Sequence, residues 1–234
     1  NVWRAFSRVR TSWLSREGVL AIALYPVAAL DAWLVVTGAP QPLSTVVGVL
    51  LGLLALGVLY CTGMIYACLK TVPRWHNRLV PACYVLLGLY SGALLSLPFV
   101  TNDVSAIPQQ ATLVLALLAM ALMVKTIYYF RFRAPVGQHT INQALTLGPK
   151  TIRLLDVGHT HGTFLTDEFC FQLARGHARG LRLVAISAGF LVPFVVLVAD
   201  PRGIVTLVFA GMSCMLGLLA ERWLFFAEAQ HVVR

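Results

Sequence analysis

Residues 44–69 read STVVGVLLGLLALGVLYCTGMIYACL, without a single charge. A helix that crosses a bilayer needs about 20 predominantly apolar residues, because the hydrocarbon layer is about 30 Å thick and each residue rises about 1.5 Å. This run is long enough, and it holds no charged side chain that would have to be solvated. Five more runs of the same kind surround it, at about 18–37, 79–99, 111–130, 183–199 and 204–227. The expected fold is therefore all-α: a polytopic membrane helix bundle with six spanning helices, forming one membrane domain over 1–234. Pro26, Pro98 and Pro193 fall inside or at the ends of these runs. Membrane helices tolerate proline where neighbours satisfy the freed carbonyls.

Composition points the same way. The 234 residues are 59% apolar and 12% charged, with a mean hydropathy of +0.79. Soluble domains are roughly 45–50% apolar and about 25% charged, so lipid is the natural solvent for the excess. The net charge of +9 would point to nucleic acid in a soluble protein. Here the basic residues gather between apolar runs, which is the pattern of membrane topology, and no nucleic-acid partner is expected. Cys61, Cys68, Cys83, Cys170 and Cys214 form no CxxC pair and read as small packing residues. Gly48 and Gly52, then Gly88 and Gly92, recur at a spacing of four. That spacing lets helix backbones approach closely in lipid, here within the bundle.

The connections alternate in charge. Segment 1–16 holds Arg4, Arg8, Arg10 and Arg16, and 70–78 holds Lys70, Arg74 and Arg78. Segment 131–182 holds Arg131, Arg133, Lys150, Arg153, Arg175, Arg179 and Arg182, and the tail ends in Arg234. By contrast 38–43 has no charge, 100–110 has only Asp103, and 200–203 has Asp200 and Arg202. Six crossings place the basic connections on one side and leave Arg202 on the other. Lys125 and Arg222 lie within helices near the basic side. The positive-inside rule then predicts a bacterial inner-membrane protein whose basic loops and both ends are cytoplasmic. Asn1 opens in what reads as a connection already under way, so further chain is expected upstream.

Segment 131–182 is long for a bundle connection and reads as a cytoplasmic insertion. Within it, 164–180 has a helical pattern: Asp167 and Glu168 come early, Arg175 and Arg179 late, as suits a helix dipole. This is an interfacial or partner-contacting helix, or equally a plain surface helix on the anionic leaflet.

The sequence has no Gly-rich phosphate loop, no cysteine cluster and no nucleophile elbow. His76, His139, His159, His161, His177 and His231 all fall in connections or at helix ends. A buried b-type haem needs axial ligands on spanning helices, so no haem is expected in this chain. His159 and His161 lack a carboxylate or thiolate at ligand spacing, so no metal is expected either. Ionisable residues in or at the ends of membrane helices are functional candidates. By the topology above, Glu17, Trp13, Arg16, Trp75, His76 and Arg222 share the level of the basic interface, with Glu221 and His231 close by. A carboxylate, a cation and aromatic rings at one level can bind a quinone head group, and a carboxylate or imidazole near water can relay the protons that accompany its electrons. The same residues also fit plainer roles. Glu17 reads equally as a dipole-stabilising carboxylate at the start of its helix, Arg222 as an ion-pair partner or snorkelling side chain, and the tryptophans as an interfacial belt.

Three stretches carry a family resemblance. They are Trp3-Arg4-Ala5-Phe6 leading to Ser12-Trp13-Leu14-Ser15-Arg16-Glu17; Ile65-Tyr66 through Thr71-Val72-Pro73-Arg74-Trp75 to Pro81 and Gly92; and Gly217 through Glu221-Arg222 with Phe225-Phe226 and His231. In this order the chain resembles the membrane-anchor subunit of dimethyl sulfoxide reductase-type molybdoenzyme complexes. The resemblance implies an eight-helix anchor without haem, of which this chain holds six helices. It implies two partners besides membrane lipids, an iron–sulfur electron-transfer subunit and a molybdopterin catalytic subunit, with their clusters and cofactor outside this chain. It implies a site for ubiquinone or menaquinone, in which Glu17 matches the family's acidic residue. The family's upstream His-Leu-Gly stretch would precede Asn1.

One departure places the branch. In the respiratory reductase the face bearing the Glu17-like residue is periplasmic, whereas here that face carries the positive charge. This is similar to the anchor of cytoplasmic sulfite dehydrogenase, as are Leu154-Leu155-Asp156 through His159-Thr160, Phe164-Leu165 and Ala174-Arg175-Gly176-His177-Ala178. The implied function is to pass electrons from sulfite oxidation to quinone, with Arg4, Arg8, Arg10, Arg74 and Arg78 docking the partner. The alternatives are a quinol-oxidising anchor of a terminal reductase and a small-molecule transporter; the latter predicts inverted repeats and helices broken near midplane.

Overall fold

Each apolar run forms a helix. A computed structural model describes residues 6–99, 107–132, 146 and 176–229. The helices are α1 (Trp13–Val36), α2 (Gln41–Ala67), α3 (Leu79–Ser96, continued by a 3-10 turn at Leu97–Phe99) and α4 (Ile107–Arg131). The fifth span consists of α5 (Ala178–Ile186), a π-helical turn (Ser187–Leu191) and α6 (Val192–Ala199), and the sixth is α7 (Ile204–Ala227). All six are long and apolar enough to cross a membrane. The chain is an all-helical, multi-pass membrane protein over its described residues.

Two helices start a full five residues earlier than hydropathy alone predicts. α1 begins at Trp13 because Ser12 caps it: the Ser12 hydroxyl accepts from the Ser15 amide (3.4 Å) and the Ser12 carbonyl from that of Arg16 (3.2 Å). α5 begins at Ala178, so Arg179 and Arg182 ride on the first turns of a spanning helix. Of the helix expected over 164–180, residues 178–180 form the start of α5, and 164–175 lie outside the described residues.

Turn chemistry sets the ends joined by the two shortest connections. α1 closes with the Ala39 amide bonded to the Leu34 carbonyl (3.0 Å) and Gly38 to Val35 (3.3 Å). Gly38 takes φ +64°, a conformation that costs glycine nothing, and Pro40 prevents continuation. Between α6 and α7, the Asp200 carboxylate accepts from the Gly203 amide (3.1 Å) and the Thr206 hydroxyl (3.1 Å).

Pro193 explains the irregular fifth span. Proline has no amide hydrogen, so the Gly189 carbonyl loses its ordinary helical donor. The chain widens into the π turn, in which the Val192 amide reaches back to Ser187. Neighbouring side chains take up the altered carbonyls. The Tyr90 hydroxyl donates to Gly189 at 2.8 Å, and the Ser213 hydroxyl donates to Ala188 at 2.9 Å. Tyr90 also stacks on Phe190, centroids 5.8 Å apart.

The chain divides into two compact units, Asn1–Leu69 with Trp75–Gly88, and Lys70–Arg74 with Leu89–Arg234. In the first, α1 lies along α2, and Cys61, Val80, Cys83 and Leu87 are buried. A Cβ on Gly63 would sit 2.6 Å from the Pro81 Cα, so bare backbone is required there. In the second, α7 supplies the buried stripe Leu207, Ala210, Cys214, Gly217, Ala220 and Leu224. Gly217 meets Gly189 backbone to backbone. The glycines singled out by spacing behave differently. Gly52 and Gly92 have nothing within 4 Å, and Gly48 and Gly88 face only the side chains of Asp31 and Leu59.

Candidate functional site

In the first unit, α1 brings Trp13, Arg16 and Glu17 to one helix end. Glu17 does not open the helix: α1 has no acidic residue in its first turn. Glu17 sits in the second turn, about 6 Å along the axis, beyond where a capping carboxylate is most effective. It is half-buried, and the Thr62 hydroxyl of α2 donates to it at 2.6 Å. The same hydroxyl lies 2.9 Å from the Val58 carbonyl. One hydroxyl carries one hydrogen, so it cannot serve both acceptors fully. A neutral Glu17 resolves this by donating to Thr62 while Thr62 donates to Val58. The geometry thus accommodates Glu17 with or without a proton.

Arg16 is committed locally. Its Nε donates to the Val9 carbonyl (2.8 Å), its Nη2 to that of Arg10 (2.7 Å), and its guanidinium lies 4.1 Å from the centre of the Trp13 rings. Trp13 meets Tyr60 edge-on at 5.9 Å. Arg16 therefore ties the preceding segment onto α1, and among the described residues Glu17 has no cationic partner. Trp75 packs edge-on against Tyr66 at 5.2 Å, and Tyr66 stacks on Tyr84 at 5.8 Å. His76 Nδ1 lies 2.7 Å from the Ala67 carbonyl. A carbonyl only accepts, so this nitrogen carries the hydrogen and closes the end of α2. Arg8, Arg10 and Arg78 are exposed in this unit, while Arg4 lies outside the described residues, as does His231.

Arg222 belongs to the second unit, where it serves a buried carboxylate. Glu221 is 1% exposed. It forms ion pairs with Lys125 of α4 and with Arg222 Nε, the latter at 2.5 Å. Lys125 is itself buried and lies over the faces of Tyr128 (4.4 Å) and Tyr129 (4.8 Å). Hydropathy and charge place Lys125 near the basic side without giving it a partner. Position along the helix supplies one: Lys125 precedes the end of α4 by six residues, as Glu221 precedes the end of α7, so each lies about 9 Å along the axis from its helix end. Just outside them, Glu228 takes both Arg74 (2.5 Å) and Arg182. Arg74 further donates to the Phe132 carbonyl (3.3 Å), and its own carbonyl accepts from the Tyr128 hydroxyl (3.3 Å). Arg74, expected on the docking surface, is thus turned into its own unit.

Among the described residues no group of three or more histidine, cysteine or carboxylate side chains gathers to hold a metal. What the two clusters offer is protonatable and charged groups at helix ends, among described helices whose exposed side chains are largely apolar.

Comparison with known proteins gives the family. Residues 1–227 match the DMSO reductase anchor subunit (DmsC) family. The chain is 30% identical to a sulfite dehydrogenase subunit of Allochromatium vinosum, over 98% of this chain and 75% of that protein. No solved structure matches it. A family match over nearly the whole length, on six spanning helices, settles the affiliation: the chain belongs to the DMSO reductase anchor subunit (DmsC) family.

Proposed function

We propose that this membrane anchor of a molybdoenzyme complex is also its quinone-reactive subunit, and that electrons reach it from sulfite oxidation. The observation that carries the quinone reading is the Glu17–Thr62 pair. Quinone reduction takes up two protons with two electrons, so its site needs a group near water that can hold and release a proton. Glu17 is half-buried one turn inside a spanning helix, and its hydroxyl partner is compatible with either protonation state. Trp13, Trp75 and His76 belong to the same unit and are the residues proposed to bound the head group. Arg16 positions the segment before α1. Arg222, held by Glu221 in the second unit, takes the plainer role of ion-pair partner. The sulfite reading draws on the likeness to the Allochromatium vinosum sulfite dehydrogenase subunit and on the lopsided charge. That charge would set the basic end in the cytoplasm of a bacterial inner membrane, facing an iron–sulfur subunit and, through it, a molybdopterin subunit.

The test is Glu17→Gln in the assembled complex. Quinone-coupled turnover should fall by at least tenfold, while oxidation of sulfite with an artificial dye as acceptor stays at the wild-type rate. Unchanged quinone turnover removes Glu17 from the site. Membership of a family named for a reductase favours a second reading, in which the anchor oxidises quinol for a terminal reductase. Reduction of a sulfoxide by quinol, without sulfite-dependent quinone reduction, would select it.

A further inference from the structure

The end of α4, the start of α5, the 70–74 segment and the end of α7 enclose a cavity of about 370 Å³ within the second unit. Its polar lining is Arg74, Arg182 and Glu228 with Thr126, Tyr128 and Tyr129. Two guanidiniums share one carboxylate there, so the wall carries net positive charge. Two donors on this wall are unused: the Arg182 Nε and the Tyr129 hydroxyl are buried and have no hydrogen-bond partner among the described residues. Buried donors are normally satisfied, and both of these belong to residues lining one space. Apolar side chains complete the lining and lead outward. Phe130 and Ile186 line the cavity yet are 68% and 45% exposed, and Leu183, one turn before Ile186, is 69% exposed.

We propose that this cavity binds the phosphodiester headgroup of an anionic phospholipid, with the acyl chains lying along Phe130, Ile186 and Leu183. Unused donors and surplus positive charge call for a ligand that only accepts and carries negative charge. Guanidinium matches phosphate oxygens in geometry as well as in charge. A basic pocket between helices at one membrane interface suits a lipid headgroup. A zwitterionic headgroup would bring its own cation toward Arg74 and Arg182, and so should bind more weakly. Free phosphate offers the same oxygens but has nothing to place on the apolar wall.

The full chain, purified with its partner subunits and stripped of lipid, is titrated with dioleoyl phosphatidylglycerol, dioleoyl phosphatidylcholine or inorganic phosphate, and bound adducts are counted by native mass spectrometry. Phosphatidylglycerol should bind about tenfold more tightly than phosphatidylcholine, and millimolar phosphate should not displace it. Arg182→Gln should lower phosphatidylglycerol affinity about tenfold. Because that change also strips Glu228 of a partner, Tyr129→Phe carries the test: it keeps the ring, removes only the hydroxyl, and should lower the affinity about three- to tenfold. Equal retention of the two lipids, or wild-type affinity in Tyr129→Phe, overturns the proposal. Displacement by phosphate overturns the lipid assignment and makes a free oxyanion the ligand.

Discussion

Gly217→Ala tests the tightest crossing in the second unit. A methyl group on Gly217 would lie 2.2 Å from the Gly189 amide nitrogen, 2.3 Å from the Gly189 Cα and 2.9 Å from the Ala188 carbonyl carbon. Carbon contacts settle at about 3.5–4.0 Å, so α7 must retreat by about 1 Å, and every obstructing atom is backbone that cannot rotate away. A gap of that size forfeits about a quarter to a half of each dispersion contact along the stripe from Leu207 to Leu224. It also stretches the Ser213 bond to the Ala188 carbonyl. Overpacking of this kind costs about 1–3 kcal/mol, and alanine's better helix propensity returns at most about 1 kcal/mol. Gly52→Ala and Gly92→Ala are the controls, because nothing lies within 4 Å of either site. Unfolding in mixed detergent–SDS micelles, followed by tryptophan fluorescence, should show Gly217→Ala unfolding at a distinctly lower SDS fraction than wild type, with both controls at or above it. A Gly217→Ala protein as resistant as its controls would refute the packing argument.

Other outcomes follow from the charges and hydrogen bonds. Glu221→Gln leaves Lys125 buried with only tyrosine faces and should destabilise by about 3–5 kcal/mol in the same assay; combining it with Lys125→Met should recover most of the loss, whereas simple additivity would contradict the ion pair. Tyr90→Phe removes the donor to the Gly189 carbonyl and should cost about 1 kcal/mol, and hydrogen exchange should rise through Ser187–Leu191; unchanged exchange there would mean the π turn does not depend on Tyr90. Thr62→Val deletes the hydroxyl facing Glu17 at nearly constant volume, and should depress quinone turnover less than Glu17→Gln but more than it depresses dye-linked activity; an equal effect on both would make Thr62 purely structural.

Hydropathy makes the six spans legible because lipid permits few alternatives: in a bilayer, a long apolar run must satisfy its backbone within a helix. Their ends are less legible. The polar first turn at Trp13 depends on the Ser12 cap, and the one at Ala178 carries arginines that hydropathy counts against a helix. Spacing finds only some of the close contacts, such as Gly88 against Leu59. Gly48, Gly52, Gly88 and Gly92 have the expected period, yet the bare-backbone contacts are Gly63 with Pro81 and Gly217 with Gly189. Those pairs join residues far apart in sequence, so no local period reveals them. The candidate site shows the same split. Glu17 and Arg222 stand out as charges in apolar runs, but the Thr62 hydroxyl that meets Glu17 lies on another helix and has no mark in the sequence. Lys125 can be matched to Glu221 by position along the helix alone, since each lies the same number of residues from its helix end.

The lopsided charge that predicts topology proves to be two populations with different physical roles. Near the end of α7, Glu221 gathers Lys125 and Arg222, and Glu228 gathers Arg74 and Arg182, four cations to two carboxylates. Buried ion pairs seldom add stability over well-packed apolar side chains, so fixing geometry is the better reason to keep them. Glu221 fixes α7 against α4, and Glu228 holds the 70–74 segment and α5 to the same helix end. Cations held in these pairs could not turn to a soluble partner without leaving the buried Glu221 or the half-buried Glu228 short of a partner. Arg8, Arg10 and Arg78 are exposed and form no such pair among the described residues. The docking surface we propose for the electron-transfer subunit therefore rests on those three. Reversing their charge should weaken partner retention and leave the fold of the anchor intact, whereas reversing Arg74 should damage the fold first.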